Sequence, residues 1–121
     1  MLNNVTIMGR LAKDPELRKT TSGLSVTTVS IACDRDIRNA NGEKETDWVD
    51  ITAWRGTADF ICNNFTKGRM IIVEGRLQTR SWTDKDGNKQ SKLEVLADNV
   101  YFGDSKKSSG NDGYSAGTEE G

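Results

Sequence analysis

Residues 46–68 read TDWVDITAWRGTADFICNNFTKG, and the spacing of their apolar residues changes part-way along. From Trp48 to Trp54, apolar and polar positions alternate, as on a strand whose successive side chains point to opposite faces. Val49, Ile51 and Ala53 take the core phase, and Trp48, Asp50, Thr52 and Trp54 share the other. From Gly56 to Lys67, Ala58, Ile61, Cys62 and Phe65 recur at helical spacing, with Gly68 as a stop. A strand that hands straight over to a short helix fixes the middle of the fold.

Strand patterns lie on both sides of this segment. Upstream, Val5, Ile7 and Leu11 share one phase, and Asp14-Pro15 and Ser22-Gly23 punctuate the connection that follows. A second strand runs from Leu24 to Asp34. Its apolar set moves from Leu24/Val26 to Val29/Ile31/Cys33, a phase slip that predicts a β-bulge or sharp bend. Asn39-Ala40-Asn41-Gly42 marks a hairpin tip. Downstream, Arg69–Thr83 returns to a period of two, with Ile71, Val73 and Leu77 facing inward. Asp86-Gly87-Asn88 makes another hairpin, and Gln90–Phe102 carries apolar residues on both phases, as in a strand packed on both sides or at a subunit contact. The order is strand, strand, strand, helix, strand, strand. This is the order of the OB-fold, an all-β, five-stranded Greek-key barrel with one short helix between strands three and four. The barrel is expected over residues 1–103. Residues 104–121, DSKKSSGNDGYSAGTEEG, form a Ser/Gly-rich tail with no apolar periodicity and are expected to be disordered.

Length and composition agree with one small domain: 121 residues, 34% hydrophobic and 29% charged. No apolar run approaches the ~18–20 residues of a membrane span, and the N-terminus MLNNVTIMGR has no signal-peptide layout. A soluble, cytoplasmic protein without a membrane partner is expected. Cys33 and Cys62 form no CxxC or metal-ligand pattern and read as two buried thiols. Histidine is absent, which removes the commonest general base and metal ligand. Net charge is −1, but residues 1–103 hold 15 Lys and Arg against 14 Asp and Glu (+1), and the tail holds 2 against 4 (−2). The position of the cations matters more than their total.

That position is informative. Trp48 and Trp54 stand on the outward phase of one strand, and Arg76, Gln78, Arg80 and Trp82 share the outward phase of another. Exposed aromatics interleaved with cations suit single-stranded nucleic acid: each base stacks for ~1–3 kcal/mol while the cations follow the phosphates. Stacking tolerates any sequence. The competing reading puts the three indoles in a second apolar layer, such as a subunit interface, and leaves the cations on a solvated face.

Chemistry is not indicated. The carboxylate pairs Asp34/Asp36, Glu43/Glu45 and Asp84/Asp86 fall in or beside hairpin loops with no base placed among them. The run Asp84-Lys85-Asp86-Gly87-Asn88 lacks the glycine spacing and bidentate glutamate of a calcium loop. No phosphate-cradling loop or nucleophile elbow is present. No catalytic residue, metal or cofactor is expected.

Four patterns in order, NNVTIMGRLAKDPELR, TDWVDITAWRGTADF, KGRMIIVEGRLQTRSWTDKDG and LEVLADNVYF, resemble the bacterial and phage single-stranded DNA-binding proteins over about residues 1–103. The resemblance implies an OB-fold, usually a homotetramer, that coats exposed single strands in replication, recombination and repair, in the nucleoid. It implies stacking roles for Trp48, Trp54 and Trp82, and phosphate contacts at or beside Arg55, Lys67, Arg76 and Arg80; Lys13 joins them as a loop cation. The chain departs from the family in two places. A further aromatic usual near Ile37 is missing, leaving Arg35 and Arg38 to compensate. The chain also stops at Thr118-Glu119-Glu120-Gly121 without the acidic Pro-Phe tip that recruits replication and repair proteins, which fits a truncated chain or one without recruitment. The alternative function is an OB-fold adaptor of the primosomal kind, acting mainly through protein contacts.

Overall fold

The computed structural model describes residues 1–104. Its elements are β1 (Val5–Leu11), β2 (Arg18–Lys19), β3 (Ser25–Arg38), β4 (Lys44–Trp54), α1 (Arg55–Asn64), β5 (Met70–Thr83) and β6 (Lys89–Phe102). The sheet runs β1-β5-β6-β4-β3-β2, and a further β1–β3 pairing closes the five long strands into a barrel. The two-residue β2, absent from the sequence reading, pairs with the start of β3. Counting it, the short helix lies between the fourth and fifth strands. β4 and β6 meet in parallel through Ile51↔Val95 and Thr52↔Leu96; every other pairing is antiparallel.

The inward phase of each strand fills the core. Ile31, Ile51, Ile71 and Val73 are fully buried, and Ala58, Ile61 and Phe65 from α1 and its end pack against them. Each such isoleucine contributes roughly 1.5–3 kcal/mol through burial. Closure requires close backbone approach at two glycines. A Cβ on Gly9 would lie 2.5 Å from the Ala32 carbonyl oxygen, and one on Gly75 only 1.9 Å from that of Leu96. Cys33 and Cys62 carry free thiols and are half-buried rather than buried.

Several expectations are corrected. β3 keeps one register against β4 from Val26 to Asp34, so no bulge interrupts it there; the irregularity falls between Asp34 and Arg38. The inward phase at its start is polar. Ser25 and Thr27 are buried, with Ser25 Oγ accepting from Lys19 Nζ at 2.8 Å and Thr27 Oγ1 donating to the Glu16 carbonyl at 2.8 Å. Satisfied hydroxyls mimic a break in the apolar pattern. The real bulge lies in β6, where Glu74 pairs with Asn99 and Gly75 with Ala97, leaving Asp98 as the extra residue. It shifts the inward set from Val95 and Ala97 to Val100, which explains apolar residues on both phases.

The helix ends at Asn64, three residues before the expected Lys67. Phe65 turns extended and stacks on Phe102 with ring centroids 4.8 Å apart. Gly68 instead donates its N–H to the Leu11 carbonyl. Leu77, expected inward, is 40% exposed, because β5 and β6 leave the barrel near Gly75 and continue as a projecting hairpin. Asp104, assigned to the tail by sequence, accepts from Arg69 Nε and the Met70 N–H, both at 3.2 Å. The rest of the tail lies outside the described residues.

Candidate nucleic-acid interface

One outer face of the barrel is built by four strands. β3 contributes Val26, Thr28, Ser30 and Ala32, which stand directly opposite Trp54, Thr52, Asp50 and Trp48 of β4. Across the β5–β6 pair, Gln78 faces Glu94, Arg80 faces Lys92 and Trp82 faces Gln90. The parallel Thr52↔Leu96 pairing joins the two halves. Alternation alone puts these side chains on the same side of the sheet.

The indoles are uncovered because their cross-strand neighbours are small or short. Trp48 stands opposite Ala32 and is 64% exposed; Trp54 stands opposite Val26 and is 40% exposed. Trp82, near the tip of the projecting hairpin, is 41% exposed. Asp84 holds that tip: its Oδ1 accepts from the Asp86 and Asn88 N–H groups and its Oδ2 from Gln90 Nε2. Those bonds hold the Asp84 carboxyl below its ordinary range. Asn39 makes the equivalent turn in the other hairpin, its Oδ1 accepting from the Asn41 and Glu43 N–H groups.

The centre of the face is polar and ion-paired. Lys92 pairs with Asp50. The Glu94 side chain is closed to solvent, and accepts from Gln78 Nε2 at 2.8 Å and Arg80 Nε at 3.1 Å. Desolvation pushes the Glu94 carboxyl upward, but hydrogen bonds from Gln78, Arg80 and Thr52 with the Arg80 charge hold it below the ordinary range. Glu94 was not singled out from the sequence, and its burial was missed. The hairpin turn held the signal: the tip pairing Thr83↔Lys89, carried inward, sets Gln78 opposite Glu94.

The predicted cations are dispersed in role. Arg76 is exposed at the base of the hairpin, opposite Leu96. Arg55, just after Trp54, opens α1 with φ +56°, a left-handed corner unusual for a side chain with a Cβ. Lys13 lines a groove of about 410 Å³ with Arg18, Thr28, Ser30 and Asp50, continuous with the face. Lys67 sits after α1, its backbone N–H on Asp14 Oδ1, beside the loop that carries Lys13. Arg35 is already engaged: it grips Asp47 with two hydrogen bonds and Glu45 with a third, and holds the Asp47 carboxyl below its ordinary range. Arg38 Nη1 donates to the Gly42 carbonyl of its own hairpin.

Residues 2–103 match the model of the single-strand binding protein family. The chain belongs to that family. Among its relatives, a single-stranded DNA-binding protein of Caldanaerobacter subterraneus subsp. tengcongensis is 44% identical over 102 residues, covering 84% of this chain and 68% of its own length. Bacillus subtilis single-stranded DNA-binding protein A is 41% identical over 119 residues, covering 97% of this chain and 69% of its own length. Protein B of the same organism is 45% identical over 106 residues, covering 88% of this chain and 94% of its own length. These names describe binding to DNA, not a reaction. Family membership agrees with the barrel and helix order. No helix among the described residues is long and apolar enough to cross a membrane.

Proposed function

We propose that this family member binds single-stranded DNA without strong sequence preference, stacking bases on Trp48, Trp54 and Trp82 while cations around them follow the phosphates. The observation that carries the reading is the exposure of three indoles on one continuous β-face. Arg55, Arg76, Lys13 and Lys67 are the phosphate contacts, since Arg35 and Arg38 are already held by neighbours. Such binding protects single strands opened during replication, recombination and repair. It takes place on a homotetramer in the cytoplasm, with replication and repair enzymes as partners. In support of assembly, Met8, Ile72 and Tyr101 form a cross-strand row on the outer face of β1, β5 and β6, with Met8 and Tyr101 exposed.

Titration of intrinsic tryptophan fluorescence with poly(dT) tests the reading. Strong quenching is expected, with log affinity falling against log salt by about 0.7 for each phosphate neutralised. Trp54→Ala is expected to weaken binding by ~1–3 kcal/mol with an unchanged melting temperature. Weak, salt-insensitive quenching would favour the adaptor role. Sedimentation equilibrium at a single-chain mass would remove the tetramer.

A further inference from the structure

Trp82 differs from the other two indoles. Among the described residues it is the one tryptophan with a cation over its ring: the Arg80 guanidinium carbon lies 5.1 Å from the ring centroid. Arg80 is itself half-exposed, yet its Nε is fixed at 3.1 Å by Glu94, whose side chain has no solvent exposure. Glu94 is held in turn by Gln78 on β5 and by Thr52 on β4. A continuous chain of contacts therefore runs from a carboxylate in the barrel wall, through a guanidinium, to an indole on a projecting hairpin.

We infer that Arg80 and Glu94 are positioning residues that brace Trp82, with Arg80 capping one face of the indole so that a base takes the other. The inference rests on the stacking reading given above and takes Arg80 out of the phosphate-contacting role that the family resemblance implied. A guanidinium bonded to a carboxylate at this distance has its charge largely answered within the protein. Its planar fork lies over the ring, where a lysine ammonium would reach a carboxylate but not stack as a plane. The brace is needed where it is found. Trp48 and Trp54 flank the stretch of β4 that pairs with both β3 and β6, at Ile51 and Thr52, whereas Trp82 rises from a two-stranded extension beyond the barrel. Fixing the ring before a base arrives removes part of the ordering cost of binding.

The test uses the full chain with Arg80→Ala, Arg80→Lys and Trp82→Ala, each titrated with an oligo(dT) over a range of salt. Arg80→Ala is expected to weaken binding about two- to fivefold, the worth of a partly exposed cation–π contact. The slope of log affinity against log salt should stay unchanged. Arg80→Lys should behave like Arg80→Ala, because restoring charge does not restore a guanidinium over the ring. In chains that also carry Trp48→Phe and Trp54→Phe, acrylamide should quench Trp82 more readily once Arg80 is removed. A slope shallower by about 0.7 in Arg80→Ala, restored by Arg80→Lys, would make Arg80 a phosphate contact and overturn the brace. So would unchanged affinity in Arg80→Ala alongside weakened binding in Trp82→Ala. If Trp82→Ala itself binds as tightly as the parent, stacking at this ring fails, and the brace has nothing to hold.

Discussion

Arg55 shows how much a single position contributes. Trp54 before it is extended, with φ −124° and ψ 152°, and ends β4 pointing outward; Arg55 then turns left-handed at φ +56° to start α1. The chain thus changes from strand to helix within one residue of a stacking indole, with no capping side-chain bond at the helix start. A residue with a Cβ in this region costs about 1–2 kcal/mol, which glycine relieves, less the backbone entropy that glycine loses on folding. Arg55→Gly is therefore expected to raise stability by up to about 1 kcal/mol in urea unfolding. The same change should make the salt slope of DNA binding shallower by about 0.7. A stabilised protein with an unaltered slope would place Arg55 outside the phosphate track. Nothing in the sequence announces this corner, because arginine gives no local signal for positive φ. The outward phase of Trp48 and Trp54, by contrast, was readable from Val49, Ile51 and Ala53 alone.

The β5–β6 hairpin shows what patterning conveys for an element and what it cannot. Its turn, its two strands and the outward set Arg76, Gln78, Arg80 and Trp82 follow from alternation and from Asp86-Gly87-Asn88. Its departure from the barrel does not. Leu77 carries the same apolar signal as Ile71 and Val73, and only the geometry after Gly75 exposes it. The bulge left a phase conflict in Gln90–Phe102 that alternation alone reads as packing on both sides, while the conflict at the start of β3 came from hydroxyls bonded inside. Two carboxylates fasten the hairpin: Asp84 at the tip and Glu94 at the wall, both with folded-state pKa values held below the ordinary range. A group depressed in this way contributes stability above its unfolded pKa, roughly 4 for Asp and Glu, and loses it as pH falls through the lower folded value. Urea midpoints should accordingly hold steady from neutral pH to about pH 5 and decline below that. Asp84→Asn with Glu94→Gln should flatten the decline. An equally steep acid decline in that double variant would mean that other carboxylates govern it.

At the scale of the whole molecule, the barrel's connectivity was the most legible property, since the change of period at residues 46–68 places the helix and the helix orders the strands. The distribution of charge was the least. Net charge near zero gave no hint that carboxylates would sit among the cations on the very face that carries the indoles. Sign and phase are visible in sequence, but neighbours across non-adjacent strands, such as Asp50 with Lys92, appear only once β4 and β6 meet.

The pairing of Lys92 with Asp50 bears on how a bound strand departs. Beyond the four cations proposed above, Lys92 would be an exchangeable phosphate contact: on release its own aspartate receives it, so letting go becomes a swap of counter-ions. A protein that bound single strands as proposed would then release them readily without holding them weakly at rest. Stopped-flow displacement should then show Asp50→Asn dissociating more slowly than the parent. An unchanged off-rate would mean that Lys92 never changes hands.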